Sequence, residues 1–205
     1  MANNAGQSQE FVGPPQWAAS VLALLLPPDE AETVTGDLIE EYRDNVYPAS
    51  GRWGANVWFV RQVAGFAWRA ASMWGLLLAA FGTGRFLLDT FAPPANWGPR
   101  SFFTTWSSIL LYLLAGAWGA WRTGRARSGI LVAVGVHVIA SAVSTIVTVA
   151  VFVAVIRHQP AMLSLFQQTG GWDEVWVLPL MVLPVVTMIG ALGGVFGRSL
   201  PRQGA

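Results

Sequence analysis

The sequence predicts an all-α, polytopic membrane protein: about four transmembrane helices and a small helical cytoplasmic prefix. Three observations carry that prediction. Only 11% of the 205 residues are charged and 54% are hydrophobic, whereas an ordinary soluble domain carries about 25% charged residues. The apolar residues gather in four long runs, each reaching the roughly 20 residues that about 30 Å of hydrocarbon requires. The arginines lie almost entirely outside those runs, with a strong bias to one side.

The elements follow in order. Residues 1–12 read as a disordered tail without the basic start of a signal peptide, and the first apolar run, Trp17–Leu26, is too short to span. Pro14 and Pro15 can open a short helix, and Trp17, Val21 and Leu25 give it an apolar stripe at i, i+4, i+8. Pro27-Pro28 stops that helix and starts another. Asp29, Glu30 and Glu32 stand in the new first turn, where the helix dipole favours acids. Val34, Leu38 and Tyr42 repeat the stripe, and the opposite face is acidic: Asp37, Glu40, Glu41, Asp44. Tyr47–Gly51 reads as a turn. From Arg52 to Arg69, tryptophan and arginine on one helix suit the interface of a membrane. Residues 13–69 thus form a helical cytoplasmic or interfacial prefix.

A four-helix transmembrane bundle occupies residues 70–198, and 199–205 is a cytoplasmic tail. The spans read as roughly Ala70–Phe91, Phe102–Trp121, Ile130–Ile156 and Val175–Phe196, joined by polar loops at Ala92–Ser101, Arg122–Gly129 and Arg157–Glu174. With four spans, nine arginines, Arg202 among them, fall on the side of the termini and only Arg100 and Arg157 on the other. By the positive-inside rule both termini are cytoplasmic, in the inner membrane of a bacterium.

The prefix resembles a known module. The carrying residues are Trp17, Leu24 to Pro28, Gly36, Asp37, Leu38, Glu40, Glu41 and Tyr42, with Trp58, Arg61 and Gln62 downstream. A GDLIEEYRD core followed by WFVRQV is similar to the permease prefix domain that precedes the first transmembrane helix of some bacterial ABC-transporter permeases. The similarity covers about a third of the chain, from Pro14 to about Val63, and implies a shared cytoplasmic module. Such permeases place a large extracytoplasmic domain between their spans. The present chain has four closely spaced spans instead, so the similarity implies no permease activity and no catalytic residue.

Several residues are candidates for chemistry. Arg85 lies inside the first span, one turn before Asp89; it reads either as a gate or substrate contact, or as half of an intrahelical pair whose arginine reaches towards the outer headgroups. His137 is the only histidine within a span, and reads either as a proton relay or as a neutral imidazole bonded to a neighbouring helix. Ser141, Ser144, Thr145 and Thr148 share the third span without a partner that would activate them as nucleophiles, and suit interhelical hydrogen bonds. In the fourth span Gly190, Gly193, Gly194 and Gly197 give two overlapping GxxxG spacings for helix packing, and Pro179 and Pro184 suggest kinks. His158, Asp173 and Glu174 are a weak metal set.

Composition narrows the function. The chain has no cysteine, which excludes disulfides and thiolate chemistry. A net charge of +1 gives no field for nucleic acid. No phosphate-binding loop is present, and no cofactor or enzymatic activity is expected. The expected function is that of a non-enzymatic accessory or regulatory membrane protein. Its acidic prefix face, Asp37, Glu40, Glu41 and Asp44, would dock a protein partner. The alternative is a small transporter or channel component, with Arg85 and His137 facing an intramembrane cavity. The bilayer is the common partner of both readings, and a homo-oligomer is compatible with either.

Overall fold

The computed structural model describes residues 13–201. The predicted tail at 1–12 and Arg202 lie outside the described residues. The chain divides into two compact units, 1–66 and 67–205.

In the first unit Pro15 precedes α1 (Gln16–Leu25), and Leu26 and Pro27 are extended. Pro28 then occupies the first turn of α2 (Pro28–Glu41), where a missing N–H costs nothing. A π-helical segment, Tyr42–Val46, leads into α3 (Tyr47–Phe91). The predicted turn at 47–51 shrinks to a single residue. Gly51 alone departs from helical geometry, at φ 67° and ψ 178°, a region open essentially to glycine. Pro48 does not break the helix because it stands in its first turn.

The core of this unit is formed by Ala18, Leu22, Leu26, Tyr42, Phe59 and Val63, with Ala31 and Ala55. Tyr42 is its centre. Its ring meets Phe59 edge-on at 6.2 Å, and its hydroxyl donates to Asn56 Oδ1 at 2.7 Å. The predicted stripe of α1 holds at Leu25, which is buried, but not at its start: Trp17 is 60% exposed while Ala18 and Leu22 are fully buried. Small side chains let the helices approach closely, and the bulkier tryptophan is left outside.

The second unit holds the remainder of α3, then α4 (Trp97–Thr123), α5 (Ala126–Ala154), α6 (Pro160–Gln168), α7 (Gly171–Trp176) and α8 (Leu178–Ser199). Four helical segments are long and apolar enough to cross a membrane. The protein is an all-α polytopic membrane protein.

The connections are tighter than the sequence suggested. The loop from α3 to α4 is only residues 92–96, closed by Asn96, whose side chain accepts from the Gly98 amide at 2.9 Å. The turn from α4 to α5 is Gly124-Arg125, with Gly124 in the left-handed region and its amide donating to Ala120 O at 2.7 Å. The predicted polar loop at 157–174 is instead folded into a 3-10 turn (Ile156–His158), α6 and α7. Phe152, Phe166 and Trp172 pin it together with ring centroids 4.7–5.5 Å apart. Pro179 sits in the first turn of α8, where it is tolerated, so Pro184 is the proline interior to that helix.

Candidate functional site: a polar cavity in one half of the bundle

Two different kinds of packing divide the second unit along its height. Towards the arginine-rich ends, α8 lies directly on α4 and α5 through glycines. Gly190, Gly193, Gly194 and Gly197 are buried and face backbone of both neighbours. A Cβ added to Gly190 would stand 2.6 Å from that of Ala133, and one added to Gly129 would stand 2.7 Å from Gly116 O and from Gly194 Cα. Real Cβ atoms do not come so close, so glycine is required on all three helices. Gly116 and Gly129 belong to this contact although the sequence singled out only the four on α8.

The other half, beside the 92–96 loop, opens into a cavity of about 580 Å³. On α3 it is lined by Leu78, Gly82, Arg85, Phe86, Asp89 and Thr90, a single face covering about 18 Å at 1.5 Å per residue. Tyr112 and Ser108 come from α4, and Ser141, Ser144, Thr145 and Thr148 from α5. Phe166, Glu174 and Pro179 complete it from α6, α7 and α8. So many hydroxyls inside a membrane bundle are expensive unless they serve a ligand or water.

The floor of the cavity is a three-helix hydrogen-bond chain. His137, on α5, is 7% exposed. Its Nε2 lies 2.9 Å from Pro179 O on α8, and its Nδ1 lies 2.8 Å from the Tyr112 hydroxyl on α4. A carbonyl only accepts, so Nε2 carries the proton. In the neutral imidazole Nδ1 then accepts from Tyr112. Both nitrogens are satisfied, and the same ring closes the bottom of the cavity.

The rim is ionic. Arg85 Nε donates to Asp89 Oδ2 at 3.1 Å, and Arg100 Nη1 donates to Asp89 Oδ1 at 2.7 Å. Arg85 Nη2 also reaches Ser101 Oγ at 3.4 Å, and Arg100 Nη1 reaches Ala92 O at 3.3 Å. Thr104 anchors the start of α4 by donating to Arg100 O. Glu174 lines the same space within electrostatic reach of Arg85 and Asp89, yet has no ion-pair or hydrogen-bond partner among the described residues.

The sequence-predicted candidates are distributed as follows. Arg85 and His137 both line the cavity, at its rim and its floor, together with Ser141, Ser144, Thr145 and Thr148. The four glycines on α8 lie in the closed half. Asp37, Glu40, Glu41 and Asp44 are all exposed in the first unit. Asp44 is paired with Arg43 at 2.6 Å, which holds its carboxyl below the usual carboxylate range, and Glu41 accepts from Asn45 at 2.7 Å. His158 is exposed and bonded to Arg157. Among the described residues no group of three or more histidines and carboxylates could hold a metal ion.

Two site residues escaped the sequence reading, and a third, Glu174, was read only as part of a weak metal set. Arg100 lies eleven positions from Asp89, across a proline-containing loop, and a tight helical hairpin there was the available signal. Tyr112, the only tyrosine after Tyr47, could have been paired with the intramembrane histidine. For Glu174, distant in sequence from Arg85, nothing signalled a place in the same cavity. No protein-family model matches the chain, and no curated protein or solved structure matches it significantly.

Proposed function

We propose that this is a non-enzymatic multi-pass protein of a bacterial inner membrane. Its bundle receives a small ligand from the non-cytoplasmic side, as a transport or ligand-sensing component. The observation that carries this reading is the cavity of about 580 Å³, a volume typical of small-molecule sites. It combines an apolar wall with polar side chains in one half of the bundle and is stopped by glycine-tight packing in the other. Arg85 and His137 both border it, which favours a ligand path over a purely accessory role. The arginine bias supports cytoplasmic termini, and hence a cavity that opens outward.

The absence of cysteine makes a direct test simple. Ser144→Cys lines the cavity, whereas Ala120→Cys replaces a fully buried residue in the closed half. A membrane-impermeant thiol reagent added from outside should modify the first and spare the second. Labelling of Ser144→Cys only from the cytoplasmic side would reverse the orientation, and no labelling from either side would remove the ligand path.

A second reading concerns the prefix. Its resemblance to permease prefix domains and the exposure of Asp37, Glu40, Glu41 and Asp44 support docking of a basic protein partner. Exposed ion pairs contribute only about 0–1 kcal/mol each, and the Debye length falls from about 10 Å at 0.1 M to about 3 Å at 1 M salt. A partner held there should be lost in high salt, and lost when all four are replaced by their amides. An unchanged partner list in that variant would leave the face without a docking role.

A further inference from the structure

Resting on the cavity reading above, the geometry points to an organic monocation as the ligand: a protonated amine or quaternary ammonium group on an apolar body, with Glu174 as its counter-charge. Three charged side chains line the cavity: Arg85, Asp89 and Glu174. Both oxygens of Asp89 are already taken, Oδ2 by Arg85 and Oδ1 by Arg100. The Arg85 guanidinium is in turn committed to Asp89 and Ser101. Glu174 is the carboxylate left without a direct partner among the described residues.

Each ligand class meets that arrangement differently. An anion would enter against two carboxylates and find both guanidinium groups, Arg85 and Arg100, already engaged by Asp89. A neutral molecule would leave Glu174, which is exposed towards the cavity mouth, with no direct partner. A cation satisfies it. The aromatic lining agrees, because Phe86, Trp97, Tyr112 and Phe166 border the cavity and aromatic rings attract cations. A bare metal ion does not fit, since about 580 Å³ is far larger than a coordination shell needs and no ligand cluster is assembled among the described residues. The hydroxyls of Ser141, Ser144 and Thr145 would take a polar group on the far end of the ligand.

The test uses the purified full chain in detergent and three aromatic probes that differ in charge: benzyltrimethylammonium, phenylacetamide and phenylmethanesulfonate. Binding is read by isothermal titration. The unaltered protein should bind the ammonium probe most tightly. Glu174→Gln should weaken that probe about tenfold and leave phenylacetamide unchanged. Glu174→Asp should restore most of the loss. Ala140→Phe, which fills the cavity, should abolish binding of all three. Preference for the sulfonate, or an ammonium affinity unmoved by Glu174→Gln, would overturn the cation assignment while leaving the cavity as a site, provided Ala140→Phe still abolishes binding. Binding of no probe, or binding indifferent to Ala140→Phe, would overturn both readings. The ranking of the three probes on the unaltered protein decides the matter even where a variant fails to fold.

Discussion

Asp89 is clamped by two guanidinium groups, one from its own helix and one from the start of the next. That clamp explains how an arginine can lie inside a span. Arg85 is not left to reach for headgroups alone, as the i, i+4 spacing by itself allowed. It belongs to a three-residue set whose third member, Arg100, the linear pattern placed in a loop. Pairs this well sheltered cost more to break than surface pairs, because the remaining charges stay partly buried. Asp89→Asn should therefore destabilise the protein by about 1–3 kcal/mol, read as a lower melting temperature in detergent. Glu174→Gln, which breaks no direct pair, should change it far less. Equal losses in the two variants would show that the clamp is not structural. At the floor, Tyr112→Phe removes the donor to His137 Nδ1 and leaves a buried acceptor unsatisfied, a loss of about 1–3 kcal/mol. No change in melting temperature there would mean that another donor or a water replaces the hydroxyl.

The helices themselves were legible because periodicity and length survive without knowledge of the neighbours. Their ends were not. The structure extends α4 back to Trp97, where Asn96 caps it, and ends it at Gly124, so that α5 already starts at Ala126. A polar residue was read as loop where it is in fact the first turn of a helix facing water or headgroups. The glycines show a similar limit. The spacing on α8 was visible, but the backbones it meets on α4 and α5 were not. Gly194→Leu should separate α8 from α5, since its Cβ would strike the backbone of Ala126. Overpacking of this kind costs about 1–3 kcal/mol or more, and the variant should lose monodispersity on gel filtration. Gly36→Ala is the converse case. Gly36 is exposed within α2 and an added Cβ meets nothing within 4 Å, so the change should stabilise the first unit by about 0.5–1 kcal/mol. A fall in melting temperature for Gly36→Ala would show that this face of α2 is covered by something other than solvent.

At the scale of the whole chain, the division into units at 1–66 and 67–205 follows composition. Acidic and proline-punctuated sequence gives way to long apolar runs, and each unit has its own core. Tyr42 and Phe59 centre the first, while the glycine contacts of α4, α5 and α8 organise the second. The cavity was the part least legible in sequence. It depends on residues from six helices, with separations that no local pattern encodes. All of those residues lie after Ala67, which gives a test of whether the second unit is self-sufficient. Deleting residues 1–50 removes α1, α2, the π-helical segment and the turn of α3 before Gly51, but no residue that lines the cavity. The truncated protein should insert in the membrane at normal levels, and Ser144→Cys within it should keep its reactivity towards an impermeant thiol reagent. A truncated chain that inserts but no longer exposes Ser144→Cys would make the prefix a determinant of the cavity. A chain degraded before insertion would make the two units a single folding entity, despite their separate cores.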